Sequence, residues 1–336
     1  MPSSIFLPAD NNSHGAPRQQ RALLFFIPGN PGLIDFYDDF LRCLAGLIHT
    51  STAYDIYGAD LRGFRDADHE PFGSVTQQQP WDLEGQIEAV YDNVASQRRR
   101  DNGAPYDYVV MVGHSVGAYI AVEVMARHMK QHGDRAAHLI LRNGVLLFPT
   151  ITHIAQSPSG KRMALLNSVP WLGDCAHHVA GALLCPFPEG VLAWVMQRVM
   201  GFSGHAARVT AQWLKSRDGV WQAIYLGRSE MQTICEDEWE EELWEVAAES
   251  GSDGEGLPPR FYLYYGREDH WVASRLRDEF VKRRKGRARI VVDEGDVPHA
   301  FCTRERKWPN PITMLFRLGE SELTVTQTRV SSLRKR

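Results

Sequence analysis

The chain alternates short apolar runs with longer segments of helical periodicity, and this alternation constrains the fold more than any other feature. The apolar runs lie at residues 22–28, 54–59, 108–112, 139–147, 261–265 and 288–292. They show little polar alternation, as expected for strands that are covered on both faces. Segments of helical periodicity, such as 82–97 and 116–129, separate them and indicate βαβ units. The sequence therefore predicts an α/β fold with a mostly parallel sheet flanked by helices.

One long segment interrupts the alternation. Residues 148–228 contain no predicted strand and are rich in Leu, Val, Met and Trp, which predicts a helical cap inserted over the sheet. The predicted division is a first part of the core (1–147), the cap (148–228), an acidic connecting segment (229–256), a second part of the core (257–318) and a C-terminal tail (319–336). The second half of the acidic segment is predicted to be a solvated loop.

Composition excludes several classes of function. The formal net charge of -4 argues against a nucleic-acid partner, because binding to phosphates favours a basic surface. The five cysteines are scattered without a CxxC pair, so neither a disulfide framework nor a zinc site is predicted, and no other metal or organic cofactor is implied. The first ten residues lack the pattern of a signal peptide. No uninterrupted apolar run reaches the length of about 18 residues that a membrane-spanning helix needs.

The most specific local motif is Gly113-His114-Ser115-Val116-Gly117, which follows a predicted strand and precedes a predicted helix. This G-x-S-x-G pattern in this context is typical of the nucleophile elbow of the α/β-hydrolase fold. In such an elbow a strained turn lifts the serine hydroxyl clear of the sheet, and larger side chains at the two glycine positions would collide with neighbouring backbone. Ser115 is therefore the predicted nucleophile.

A serine nucleophile needs a base within hydrogen-bond reach and an acid that orients the base. In this fold the acid and then the histidine follow the serine along the chain. Asp269 lies in the turn after the predicted strand at 261–265, and His299 lies in the loop after the strand at 288–292. These two residues are the predicted acid and base.

Other polar residues nearby leave alternatives open. Glu268 is a rival for the acid, and Asp293 and Asp296 are further candidates, although a partner so close to His299 in sequence would be strained. His270 precedes the last strand and is interpreted as structural or substrate-facing. His114 is expected to point away from the reacting centre and to have a structural role.

Acyl transfer also needs donors for the negative oxygen of the tetrahedral intermediate. The backbone N–H of Val116, directly after the serine, is one candidate. The loop at 28–32 supplies the second candidate, and because Pro31 has no N–H, that donor is the backbone N–H of Asn30.

Several segments together resemble the lipid droplet-associated hydrolase family. They are IPGNPG at 27–32 followed by Phe36-Tyr37, GHSVGAY at 113–119, LLFPTI at 146–151, SPSG at 157–160, YYGREDHWV at 264–272 and PHAF at 298–301. The pair IPGNPG and GHSVGAY is the specific part of the match, which extends with gaps from about Leu23 to Phe301.

The resemblance implies an α/β-hydrolase whose triad falls on Ser115, Asp269 and His299. It also implies lipid esters as substrates, with sterol esters as the class. The expected location is the lipid droplet and the cytoplasmic side of the endoplasmic reticulum, with the droplet monolayer or the reticulum membrane as the surface bound.

Two other functions remain open at this stage. The chain could associate with droplets and influence their organisation with little or no turnover, or it could be a soluble esterase or thioesterase for small acyl groups. Residues 171–202 are rich in apolar side chains, which could dip into a lipid monolayer or pack against the sheet as an ordinary cap.

Overall fold

The structure is a computed structural model that describes residues 3–9, 20–48, 52–131, 134–167, 170–244, 260–295 and 297–304. Every structural statement below concerns these residues. The predicted tail at 319–336 and the second half of the acidic segment, from 245 onward, lie outside them. Asp296 also lies outside them.

The described chain forms one seven-stranded sheet. Its strands are β1 (Ser4–Leu7), β2 (Arg21–Ile27), β3 (Ala53–Ala59), β4 (Tyr108–His114), β5 (Leu141–Leu147), β6 (Arg260–Gly266) and β7 (Arg289–Asp293). The order is β1-β3-β2-β4-β5-β6-β7, and every pair is parallel except β1 with β3. The predicted fold class is therefore confirmed. The sequence analysis missed β1, because four residues are too few to show a period.

Ten helices surround the sheet in the described residues. They are α1 (Asp38–Ala45), α2 (Leu83–Ser96), α3 (Val116–Lys130), α4 (Pro158–Asn167), α5 (Pro170–Leu184), α6 (Glu189–Arg198), α7 (Gly204–Leu214), α8 (Gly219–Thr233), α9 (Glu241–Trp244) and α10 (Ser274–Arg283). Helix α2 begins where the Asp82 carboxylate accepts a hydrogen bond of 2.8 Å from the N–H of Gly85.

Between β5 and residue 244 the described chain is helical and adds no strand to the sheet. The predicted end of the cap at residue 228 falls inside α8 (Gly219–Thr233). The division into five segments stays a prediction, since no domain boundary is defined independently.

The core lies on both faces of the central strands. All but the first residue of β2 are buried, and ten of the fifteen residues of α3 are buried against the sheet. Phe40 of α1 packs on Phe26 of β2 with ring centroids 6.0 Å apart and on Phe301 at 5.2 Å. The last contact joins the loop after β7 to the first part of the core.

The sheet order creates a crevice at one edge. From β2 the chain moves outward to β3 and then crosses back to β4 on the other side of β2. In open α/β sheets ligands bind outside the carboxyl ends of the strands at such a reversal. The loop after β2 and the turn after β4 meet at this point, and the loops after β5, β6 and β7 leave from the same edge.

Helix α3 approaches the sheet closely at its first turn. A Cβ atom on Gly117 would collide with the carbonyl oxygens of Ile27 and Pro28. A Cβ atom on Gly113 would collide with the backbone of Gly117 and Ala118. The two glycines of the motif are therefore required by contact between backbones.

We expect Gly117→Ala to lower the free energy of unfolding by about 2 to 3 kcal/mol, because neither neighbouring carbonyl can move without shifting the sheet. Urea unfolding followed by circular dichroism measures the change. Gly181→Ala is the control, since a Cβ there meets nothing within 4 Å on helix α5. This control should leave stability unchanged or raise it by up to about 1 kcal/mol. Equal midpoints for the two variants would contradict the argument.

Candidate active site

Ser115 occupies the sharp turn between β4 and α3. Its backbone has φ 54° and ψ −125°, a conformation that L residues other than glycine adopt at a cost. Its N–H donates to the carbonyl of Leu147 on the neighbouring strand at 3.0 Å. The turn places the hydroxyl at the carboxyl edge of the sheet, where the loops after the other strands can reach it.

The structure brings the predicted base and acid together with this serine. The Nε2 atom of His299 lies 2.9 Å from Ser115 Oγ, and its Nδ1 atom lies 2.7 Å from Asp269 Oδ2. Asp269 and His299 are both buried. If Nδ1–H donates to the carboxylate, Nε2 is left as the acceptor for the serine proton.

The environment of Asp269 keeps its carboxylate ionised. Burial by itself would raise the pKa of Asp269, but the neighbouring His299 and the hydrogen bonds from His299 and Trp271 outweigh it and lower that pKa. The N–H of Trp271 donates to Asp269 Oδ1 at 2.9 Å. Both carboxylate oxygens therefore have a donor, which fixes the orientation of the group toward the histidine.

The alternative residues have other surroundings. Glu268 is exposed, and Asp293 ends β7 half-buried. His270 is exposed, its ring centroid 6.1 Å from that of His299, and its carbonyl accepts a 2.9 Å hydrogen bond from the N–H of Ser159. That bond ties the start of α4 to the loop that carries the acid.

The loop at 28–32 presses against the elbow. A Cβ on Gly29 would lie 3.0 Å from both His114 Nδ1 and Ser115 Cβ, so a larger residue would push against the elbow. In the described turns, loops and helix caps, no backbone carbonyl accepts a hydrogen bond from the N–H of Asn30 or of Val116. These two amides are the donors that the sequence predicted for an oxyanion hole.

A chain of hydrogen bonds connects this loop to the loop of the histidine. Tyr37 Oη accepts from the N–H of Gly29 at 3.1 Å and lies 2.7 Å from His114 Nδ1. His114 Nε2 lies 2.9 Å from the carbonyl oxygen of His299. Since a carbonyl only accepts, Nε2–H of His114 donates to it, and Nδ1 accepts the Tyr37 proton.

His114 is neutral in this network. Burial, and secondarily the field of His299, lower the pKa of His114 to about 3. The sequence analysis assigned His114 a structural role but missed its bond to the backbone of His299. A histidine beside the elbow serine offers no sequence signal for a contact 185 residues away.

A second set of bonds holds the side chain of Asn30. Its Nδ2 donates to the carbonyl of Ala223 at 2.9 Å and to Glu230 Oε1 at 3.0 Å, both on α8. Glu230 is buried, and burial raises its pKa to about 7, an effect that the bond from Asn30 partly offsets. The sequence analysis did not identify Glu230, because one acidic residue in a helix is usually solvated.

An exposed apolar surface is formed by α5, α6 and the residues that directly follow each of these helices. Leu183 and Val199 are 67% and 69% exposed and Trp194 is 58% exposed; further exposed members are Val179, Phe187, Val191 and Met200. No single helix among the described residues is long and apolar enough to cross a membrane. Together the stretches 175–184 and 189–198, which meet at a bend of 95°, have the required length and composition. The side chain of Trp171 lies outside the described ones.

Comparison with known proteins places this geometry in a family. A family model described as lipid-droplet associated hydrolase matches residues 20–302. The lipid droplet-associated hydrolase of Rattus norvegicus is 28% identical over 291 residues, covering 83% of this chain and 79% of the rat protein. The protein of the same name from Homo sapiens is 24% identical over 294 residues, covering 85% and 81%.

Solved structures agree on the fold. The N-formylmaleamic acid deformylase of Pseudomonas putida S16 superposes with a TM-score of 0.53 at 14% identity, covering 90% of this chain and 93% of that one. The Vlm2 thioesterase domain bound with a dodecadepsipeptide gives 0.51 at 15% identity, covering 93% and 98%. At these identities the likeness concerns the fold alone.

The family match spans most of the chain, including the elbow, the acid turn and the histidine loop, and it confirms the resemblance found in the sequence. The prediction of an enzyme of the hydrolase class is confirmed with it. The chain belongs to the lipid-droplet associated hydrolase family and has the α/β-hydrolase fold.

Proposed function

We propose that this protein is a serine esterase that hydrolyses lipid esters at the surface of lipid droplets, with Ser115, His299 and Asp269 as its catalytic triad. The observation that carries the proposal is the continuous path from Ser115 Oγ to His299 Nε2 at 2.9 Å and from His299 Nδ1 to Asp269 at 2.7 Å. Within this distance the imidazole can accept the serine proton during attack.

The reaction runs in two halves. His299 Nε2 takes the proton of Ser115 as Oγ attacks the ester carbonyl carbon, and the carbonyl oxygen becomes an oxyanion that accepts hydrogen bonds from the amides of Asn30 and Val116. Collapse of this intermediate breaks the bond to the alcohol, which leaves with the proton from His299. Water, deprotonated by His299, then attacks the acyl-enzyme, and the acid departs as Ser115 regains its proton. Asp269 stays ionised and stabilises the imidazolium formed in each half.

The lipid part of the proposal rests on the cap surface and the relatives. The exposed side chains of α5 and α6 would lie among acyl chains if the bent pair of helices rested on a monolayer. The relatives from rat and human are named for association with lipid droplets. Sterol esters are the proposed substrate class, and the cytoplasmic side of droplets and of the endoplasmic reticulum is the proposed location.

The surface alone also favours a second candidate function. A droplet-bound protein that influences droplet organisation without turnover would need the apolar helices but no nucleophile. Labelling of Ser115 by a fluorophosphonate and measurement of ester turnover separate the two, because only the esterase requires an activated serine.

We expect Ser115→Ala to abolish fluorophosphonate labelling and to lower kcat at least about a thousandfold, since the covalent step is lost. Asp269→Asn should lower kcat by roughly a thousandfold, because the amide cannot hold the imidazole in the required tautomer. Glu268→Gln is the matched control and should stay within about twofold of wild type, as its side chain is exposed. Rates are measured on sterol, glyceryl and short-chain esters.

Two results would overturn the assignment. Ester turnover that survives Ser115→Ala would show that Ser115 is not the nucleophile. A larger loss for Glu268→Gln than for Asp269→Asn would move the acid to the neighbouring residue.

Tyr37→Phe should lower kcat about tenfold with little change in KM, since it leaves the Gly29 amide and His114 Nδ1 without their shared partner. Steady-state kinetics on a short soluble ester measures the effect. Tyr54→Phe is the control, because its hydroxyl pairs with that of Tyr108 at the amino ends of β3 and β4, and the site lies at the carboxyl ends of the strands. A tenfold loss in both variants, or in neither, would argue against the network.

Replacing Leu183 and Trp194 together by Asp should weaken binding to phospholipid-coated triacylglycerol droplets by at least about a hundredfold, because each apolar side chain buried in lipid contributes about 1.5 to 3 kcal/mol and about 1.4 kcal/mol corresponds to a factor of ten. Droplet flotation measures the bound fraction. Val75→Asp is the control, as Val75 is 96% exposed and lies outside the cap. Unchanged flotation of the double variant would exclude this surface as the anchor.

A further inference from the structure

The side chain of Asn30 is held from the cap, although its backbone belongs to the core. The loop that carries it leaves β2, while both acceptors of its amide, the carbonyl of Ala223 and the carboxyl of Glu230, are on α8. The two N–H bonds of Nδ2 are thereby both used. The orientation of this residue depends on where α8 lies.

Helix α8 is itself fixed to the core on the same face. Gln222, Leu226 and Glu230 are buried and spaced four residues apart, so they share one face of the helix. The side chain of Gln222 forms two hydrogen bonds with the backbone of Trp81. It accepts from the N–H at 2.9 Å and donates to the carbonyl at 2.8 Å. Ser229 Oγ accepts from the N–H of Leu83 at 3.0 Å. Glu230 therefore extends from a helix whose position is already determined.

Burying the carboxyl of Glu230 costs free energy, which a specific interaction has to offset. Glu230 is 4% exposed, and among the described residues no cation pairs with its carboxyl. An apolar side chain of similar size would fill the space without desolvating a carboxyl. The feature that only an oxygen acceptor supplies is the 3.0 Å bond to Asn30.

We propose that Glu230 is a positioning residue that fastens the oxyanion loop to the cap, so that the backbone N–H of Asn30 is held toward the reacting carbonyl oxygen. The inference rests on the proposed function, in which that amide is an oxyanion donor. A carboxyl and a carboxamide both present an oxygen to Asn30, so the role requires an acceptor and not a charge.

The test compares two replacements at this position with a control on the same helix. Glu230→Leu removes the acceptor and should lower kcat by about tenfold to a hundredfold with KM changed less than about threefold, because a misplaced donor affects the transition state more than the bound ester. Glu230→Gln keeps the acceptor and should stay within about threefold of wild type. Gln232→Ala changes an exposed side chain of the same helix that takes no part in fixing α8 or Asn30, and should leave kcat unchanged.

A second readout is independent of turnover. Hydrogen exchange of the peptide covering residues 28–34, followed by mass spectrometry, should speed up in Glu230→Leu and not in Glu230→Gln or Gln232→Ala. Unchanged kcat and exchange in a folded Glu230→Leu variant would overturn the proposal, as would a loss in Glu230→Gln equal to that in Glu230→Leu. If the wild-type protein turns over no ester but exchange is faster in Glu230→Leu than in wild type, the loop attachment is supported and the proposed function is refuted.

Discussion

The contact between the first turn of α3 and the ends of β2 and β4 is the constraint on which the rest of the site depends. Glycine at 113 and 117 lets the helix begin directly against the backbone of the sheet. The chain has to reverse within one residue to make that contact, and Ser115 takes the strained positive φ. The strain is sustained because β2, β4 and α3 are among the most deeply buried elements of the chain. The half-buried hydroxyl of Ser115 is thus held by a rigid interior.

The residue beside the serine connects the loops around it. His114 points to the opposite side of the turn, where it bonds to the carbonyl of His299 and, through Tyr37, to the amide of Gly29. The bond directions are set by groups that can only donate or only accept, and they require a neutral imidazole. Burial lowers the pKa of His114 to about 3 and keeps it in that form. The loop of His299 and the loop at 28–32 are therefore both connected to His114 in the core.

The cap contributes to the site as well as covering it. Helix α8 binds the side chain of Asn30, and the N–H of Ser159 at the start of α4 binds the carbonyl of His270 next to the acid. Several exposed apolar side chains lie on α5 and α6, and α5 packs on α8 through the stacked rings of His177 and Trp221, 4.3 Å apart. The helical segment after β5 thus carries both the exposed apolar side chains and the groups that hold the loops of Asn30 and Asp269.

By itself, the sequence determined the class of fold and pointed to Ser115, Asp269 and His299 as the proposed triad. Apolar runs of strand length and the glycines around Ser115 are local patterns, which can be recognised in a sequence because steric rules impose them within a few residues. The order of serine, acid and histidine along the chain is a regularity of the α/β-hydrolase fold. Six of the seven strands were predictable in this way, and so were the three residues that the structure brings together.

Only the tertiary structure decided which distant groups support that site. The bonds of His114 to His299 and of Asn30 to Glu230 join residues 185 and 200 positions apart, and no local pattern encodes a pairing that depends on how the layers pack. Whether an acidic residue on a helix faces water or a buried amide, and whether the apolar side chains of α5 and α6 face the sheet or the outside, depends on burial. Burial is a property of the assembled chain, because it is set by neighbours that are remote in sequence.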